Sequence, residues 1–162
     1  MVKDRIPNTR AIMALKGKSV PFKPHLYKYQ KDGVTEAAAR EIGVPEHVVI
    51  KTIVMEDDAG NPLIVLMHGD RQVSTRALAR ALGAKSVGPA DPKAAQRLTG
   101  YLVGGISPFG TRRVLPVYIE ESIFELPRLH KRWQEGTIDR DEPKRSGQGA
   151  KAHASQRRNL DE

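Results

Sequence analysis

Lys51 is the residue whose setting most asks for a chemical explanation. It stands inside Val48-Val49-Ile50-Lys51-Thr52-Ile53-Val54, an apolar, β-branched run. On an alternating strand Val49, Lys51 and Ile53 share a face. A lysine among aliphatic neighbours must snorkel to water, find an anion or lose its charge. It reads either as a snorkelling edge lysine or as a phosphate or carbonyl contact in a cleft. The second feature is Gly104-Gly105-Ile106-Ser107-Pro108-Phe109-Gly110. Paired glycines after a strand let the backbone approach a ligand, and their N–H groups can point at an anion or an oxyanion. Ser107 could add a hydroxyl. The run is neither a Walker A loop nor a Gly-x-Ser-x-Gly elbow, and an ordinary Gly/Pro loop is the competing reading. His25 and Tyr27 alternate onto one face of an extended segment, and His68-Gly69-Asp70 follows a strand-like run. No His-Glu-x-x-His pattern exists, so a metal is not expected. Arg76, Arg80, Lys85, Lys93, Arg97, Arg112 and Arg113 supply positive charge without interleaved aromatics, which suits phosphate contacts better than base stacking. A plain solvated face competes equally.

The elements that must position these groups read as mixed α/β. Thr9 caps a short helix through Lys16. Phe22–Tyr29 looks extended, with Pro24 placing it at a sheet edge or bulge. Thr35 begins a helix closed by Gly43, and Pro45 starts a helical turn. Val49–Met55 and Leu63–Met67 are strand runs around Asp57-Asp58-Ala59-Gly60-Asn61, a hairpin signal. Ser74 caps a helix ending at Gly83. Asp91-Pro92 starts another, closed by Gly100. Tyr101–Val103 and Val114–Ile119 are further strand candidates. The expected fold is a mixed, mostly antiparallel sheet with flanking helices.

Composition bounds the function. The chain has 162 residues, one domain or one domain plus a tail. It has no cysteine, which excludes disulfide scaffolds, Cys-ligated zinc and thiol nucleophiles. Lys and Arg outnumber Asp and Glu 27 to 19, a net charge of +8, which favours a polyanionic partner without identifying it. No apolar stretch is long enough to span a membrane and no signal peptide is evident, so a cytoplasmic location is expected.

With these residues in view, the sequence resembles the YbaK / prolyl-tRNA synthetase-associated editing family. The matching segments are Phe22–Tyr27 (FKPHLY), Val49–Val54 (VIKTIV), Ala77–Val87 (ALARALGAKSV), Ala90–Pro92 (ADP), Arg97–Gly110 (RLTGYLVGGISPFG) and Arg113–Pro116 (RVLP). The likeness runs from about Thr9 to Arg128, and its Thr-Gly-Tyr-x-Val-Gly-Gly-Ile-Ser-Pro stretch is highly specific. It implies a trans-acting deacylase that cleaves the ester joining a wrong amino acid, Cys, Ala or a similar small one, to a tRNA such as tRNA-Pro. The family's key lysine falls on Lys51, its glycine loop on Gly104 and Gly105, and its tyrosine on Tyr27. Backbone N–H groups near Gly104–Ile106 would stabilise the ester's oxyanion. Attack would come from water or from a cysteinyl substrate's own thiol, with no cofactor. Tyr27 and Val34 would line the amino-acid pocket, with Thr52, His25 and Ser107 also contacting substrate. No aromatic follows the first extended segment as in the Cys-specific group; Val34 lies nearby. Aminoacyl-tRNA is the implied partner, with prolyl-tRNA synthetase a second. The alternatives are a non-catalytic tRNA- or synthetase-binding module and a small-nucleotide binder.

Past Arg128 the likeness stops. Residues 129–162 hold 7 apolar residues with no period, and 8 basic against 6 acidic ones, leaving +6 to the folded part. Such a segment does not offset its ordering entropy, and a disordered tail is expected. Read one base later, His130–Gly136 permits Ile-Asn-Gly-Gly-Lys-Arg-Gly, the turn that the family would show next. The tail therefore reads as a frameshift product, with the family's last strands and helix missing.

Overall fold

The computed structural model describes residues 6–28 and 32–126. The hairpin comes first in the logic of the fold. β1 (Ile50–Asp57) and β2 (Pro62–His68) pair antiparallel, with Lys51 opposite Met67 and Ile53 opposite Val65. The Asp57 carboxylate builds the turn: it accepts from the amides of Ala59 and Asn61 at 2.9 and 2.8 Å, and from the Asn61 side-chain amide at 2.9 Å. Those bonds hold the Asp57 carboxyl below its usual range. β3 (Val87–Pro89) joins β1 antiparallel, and β4 (Val117–Ile119) joins β2 parallel. The order is β3-β1-β2-β4, a mixed and mostly antiparallel sheet as the sequence predicts.

Alternation along β1 and β2 feeds two cores. Met55, Leu63 and Val65 pack with Leu78 and Ala79 of α3 (Thr75–Leu82) and with Val87. Val54 and Ile64, one residue out of step, pack on the other face with Ala95 of α4 (Pro92–Thr99) and with Leu115. Each helix is set by its caps. The Ser74 hydroxyl accepts from Ala77 N, the Asp91 carboxylate from Lys93 N and Ala94 N, and Gly83 and Gly100 close the ends in the left-handed conformation. α1 (Arg10–Gly17) is capped by Thr9, and α2 (Val34–Ile42) buries Ala37, Ala38 and Ala39. No helix among the described residues is long and apolar enough to cross a membrane.

Three expectations differ from the structure. Residues 21–28 form no strand: Pro21 and Pro24 lack amide donors, and the segment's Lys28 N–H goes to the Glu41 carboxylate at 3.3 Å rather than to a ladder. Tyr101–Val103 is a turn, because the left-handed Gly100 redirects the chain and the Tyr101 amide is taken by the Thr99 hydroxyl at 3.2 Å. Val114–Ile119 is a strand only from Val117 onward. β3 and a 3₁₀ turn at Glu121–Glu125 were not expected. The tail expected to be disordered, and its shifted frame, lie outside the described residues, as does Tyr29.

Candidate functional site

The glycine loop is built by a tight turn and tied down at its far end. Gly105 N–H donates to Leu102 O at 3.0 Å, and Gly104, with φ 94°, occupies the third position of that turn, which a side chain would strain. The Gly105 amide is therefore spent inside the loop. The amides of Gly104 and Ile106 on either side have no hydrogen-bond partner among the described residues. Gly104 and Gly105 are exposed, while Ile106 packs its side chain against the core beneath α4. The Ser107 hydroxyl accepts from Phe109 N at 3.2 Å. Tyr101 reaches across the loop and its hydroxyl donates to Phe109 O at 2.5 Å. Burial pushes the Tyr101 phenol up, against the pull of the Ser107 hydroxyl and the Arg10 charge, so it stays a donor at neutral pH.

α1 fixes the end of the loop. Arg10 Nε–H donates to Gly110 O at 2.8 Å. Gly110 has φ 66°, and a methyl built on it would stand 2.6 Å from the Arg10 carbonyl oxygen. Only glycine lets the loop and helix approach so closely.

Lys51 lies elsewhere. Its ammonium donates to Gly69 O at 3.0 Å, and it is half-buried. Alternation puts it on the α3 face with Ile53 and Met55, whereas Thr52 shares the α4 face with Val54 and with Ile106. Of the two adjacent residues, Thr52 is the one on the face that Ile106 packs against, and Lys51 is on the other. Tyr27 and His25 are exposed on the 21–28 segment, and Val34 opens α2 half-buried. A cavity of about 560 Å³ is lined by Ile6, Ile12, Lys16, Val20 and Phe22, between the N-terminal segment and α1, and touches none of the residues expected at the site.

A polar cluster at the end of the hairpin was mostly missed by sequence reasoning. His68 is fully buried. Its Nδ1 donates to the His47 carbonyl at 2.6 Å, and its Nε2 meets the Ser122 hydroxyl at 2.9 Å. A carbonyl only accepts, so Nδ1 carries a proton. The His47 ring stacks on it at 3.8 Å between centroids and pairs with Asp70 at 2.9 Å. Thr35 donates to Glu46 at 2.6 Å beside Gly69, where a methyl would meet the Glu46 carbonyl at 2.7 Å. The histidine signal, His68 after a strand, was visible; its partners come from residues 47 and 122, too distant in sequence to be read together.

Comparison with known proteins agrees with this architecture. The family model described as "Aminoacyl-tRNA editing domain" matches residues 31–130, from the start of α2 past β4 and including the glycine loop. The chain is 28% identical over 114 residues to a protein of Enterococcus faecalis named "Putative Cys-tRNA(Pro)/Cys-tRNA(Cys) deacylase EbsC", covering 70% of each. It is 32% identical over 88 residues to the proline–tRNA ligase of Nitratidesulfovibrio vulgaris, covering 54% of this chain and 15% of that one. In fold it is similar to the crystal structure of "a putative trans-editing enzyme for prolyl tRNA synthetase", with a TM-score of 0.64 at 23% identity over 73% of this chain and 74% of the other. With most of its described residues inside the matched span, this chain belongs to the aminoacyl-tRNA editing domain family.

Proposed function

We propose that the chain is a trans-acting aminoacyl-tRNA deacylase that removes a small wrong amino acid, Cys or Ala, from a tRNA such as tRNA-Pro. The observation that carries this reading is the family match across residues 31–130, which contains a glycine turn whose amides on both sides of Gly105 are unpartnered among the described residues. Ester cleavage adds an oxygen, from water, or the substrate's own sulfur to the carbonyl carbon. The carbonyl oxygen takes the negative charge, and the ribose oxygen then leaves with a proton. The amides of Gly104 and Ile106 are suited to that transient charge. Ile106 fixes their position through its packing, and Ser107 and Tyr101 hold the rest of the loop. Thr52, on the same face, offers a hydroxyl to the substrate. Lys51 holds the 3′-terminal nucleotide after releasing the Gly69 carbonyl, and His25, Tyr27 and Val34 border the amino-acid pocket. Prolyl-tRNA synthetase is the proposed protein partner, and the cytoplasm the proposed location.

The test is a deacylation panel on Cys-, Ala- and Ser-charged tRNA with wild type and Lys51→Ala. Loss of a charge-assisted hydrogen bond to substrate lowers kcat/KM by about 10- to 100-fold. A folded wild type that leaves every ester intact overturns the reading. A second reading, a binding module without turnover, is favoured by one observation: Lys51 and the glycine loop occupy different faces of the sheet. Tight tRNA binding without cleavage on the same panel would select it.

A further inference from the structure

We infer that Arg10 and Arg112, laid together over Gly100 at the C-terminal end of α4, form a clamp for a phosphate of the nucleic-acid backbone, next to the glycine loop. The inference rests on the proposed tRNA substrate and adds a place where its backbone is held. A methyl built on Gly100 would stand 3.1 Å from Arg112 Nε and 3.2 Å from Arg10 Nε, so both guanidinium groups crowd one point. Two like charges gathered beside one residue repel, and an anion between them relieves the repulsion. Among the described residues neither is paired with a carboxylate. Arg10 spends its Nε proton on Gly110 O and keeps the donors of its two terminal nitrogens. The Arg112 side chain makes no hydrogen bond among the described residues.

The pair is not needed to finish α4. The carbonyls of Gln96, Leu98 and Thr99 already accept from the backbone amides of Gly100, Arg113 and Arg112. What remains is a forked set of donors suited to phosphate oxygens. The bond from Arg10 to Gly110 sets the clamp at a fixed distance from the loop, so a phosphate held there places the ester end of the same strand near the turn at Gly105. Arg10 comes from α1, outside the span matched by the family model, so the clamp is assembled from a matched and an unmatched part of the chain.

The experiment measures binding of the full chain to a fluorescent RNA hairpin, an acceptor stem with a single-stranded 3′ end, over a series of KCl concentrations. Each phosphate contact contributes about 0.7 to 0.9 to the slope of log affinity against log salt. Arg112→Gln lowers the slope by up to that amount, and the Arg10→Gln/Arg112→Gln double variant by no more than it, because the clamp holds one phosphate. Arg112→Lys and Arg10→Lys keep the slope, and they hold the test open should the glutamine at position 10 unfold the loop. Arg40→Gln, exposed in the last turn of α2 and given no part in substrate binding, matches wild type. Inorganic phosphate at matched ionic strength displaces the hairpin from wild type more than from Arg112→Gln; equal displacement of both overturns the clamp. So does an unchanged slope in Arg112→Gln, or an equal loss in Arg40→Gln. The deacylation panel separates the two proposals. Slope loss with no ester cleavage by wild type sinks the deacylase and leaves the clamp. Cleavage with an unchanged slope does the reverse.

Discussion

Replacing Gly110 by alanine forces the glycine loop and α1 apart. Two costs are separable at this position. The backbone has φ 66°, where an L side chain costs about 1–2 kcal/mol. The new methyl also meets backbone, 2.6 Å from Arg10 O and 3.0 Å from Arg10 C, with the Ala14 methyl at 3.3 Å behind them. Backbone in a capped helix does not swing aside as a side-chain tip does, and overpacking of this kind costs about 1–3 kcal/mol. The sum is about 2–5 kcal/mol. Gly60 supplies the control: its φ is 79° and nothing lies within 4 Å of an added methyl, so Gly60→Ala carries the conformational cost alone. The gain from a stiffer unfolded chain is common to both and cancels. Equilibrium urea unfolding of the two variants isolates the packing cost as the difference in midpoint, about 1 M for a slope of about 1–3 kcal/mol per M. Gly110→Ala should also lose the Arg10 Nε–Gly110 O bond, and with it the fixed spacing between the proposed phosphate clamp and the loop. Equal midpoints for the two variants would refute the argument, because they would show that α1 does not press on the loop in solution.

Further outcomes follow from other sites. His68→Ala empties a fully buried position and takes the donor from the His47 carbonyl, while the Ser122 hydroxyl keeps Glu120, for a loss of about 2–5 kcal/mol in urea unfolding; Ser122→Ala alone loses about 1 kcal/mol. His68→Asn, whose amide can replace Nδ1 as donor to the His47 carbonyl, recovers part of the His68→Ala loss. Gly69→Ala, with the Glu46 carbonyl at 2.7 Å and no strained φ, loses about 1–3 kcal/mol by overpacking, seen as a lower midpoint of thermal unfolding. The Asp57 carboxyl is lowered in the folded state by its bonds to Asn61, so its contribution to stability is present above the unfolded value of 3.8 and is lost as pH falls through the lower folded one. The gap in urea midpoint between wild type and Asp57→Asn is therefore wide at neutral pH and narrows below that range; a gap independent of pH would contradict it.

Much of the fold was legible because its signals are local. Thr9, Ser74 and Asp91 announce helix starts through side chains that accept from amides two or three residues on, and Gly43, Gly83 and Gly100 announce ends by adopting a conformation other residues avoid. The hairpin was legible from Asp57 to Asn61 for the same reason. The Phe22–Tyr29 expectation failed because extended propensity does not supply a partner strand, and the prolines remove donors that a partner would need. β3 was hidden by Gly88 and Pro89, residue types that strands disfavour; it is a strand because Val87–Pro89 pair with Met55–Asp57 of β1.

The site divides in the same way. The composition of the glycine loop was readable, and so was the oddity of a lysine in an aliphatic strand. Which face of the sheet each would occupy was not, since that depends on how the chain crosses after β2 to lay α3 on one side and α4 on the other. Once Val54 is fixed beneath α4, alternation assigns Thr52 to the loop's side and Lys51 to the opposite one, with no freedom left. A one-residue slip of β1 would exchange the two, but it would also bring Met55 out of the α3 core and Val54 out of the α4 core, so the register that buries both cannot be traded for a more convenient lysine. Any role for Lys51 at the ester must therefore work around the end of the sheet, by way of the Gly69 carbonyl it now holds. A loop anchored from α1 by Arg10 gives the opposite face its own cationic group, bonded to the loop itself, whereas Lys51 is bonded to Gly69 O.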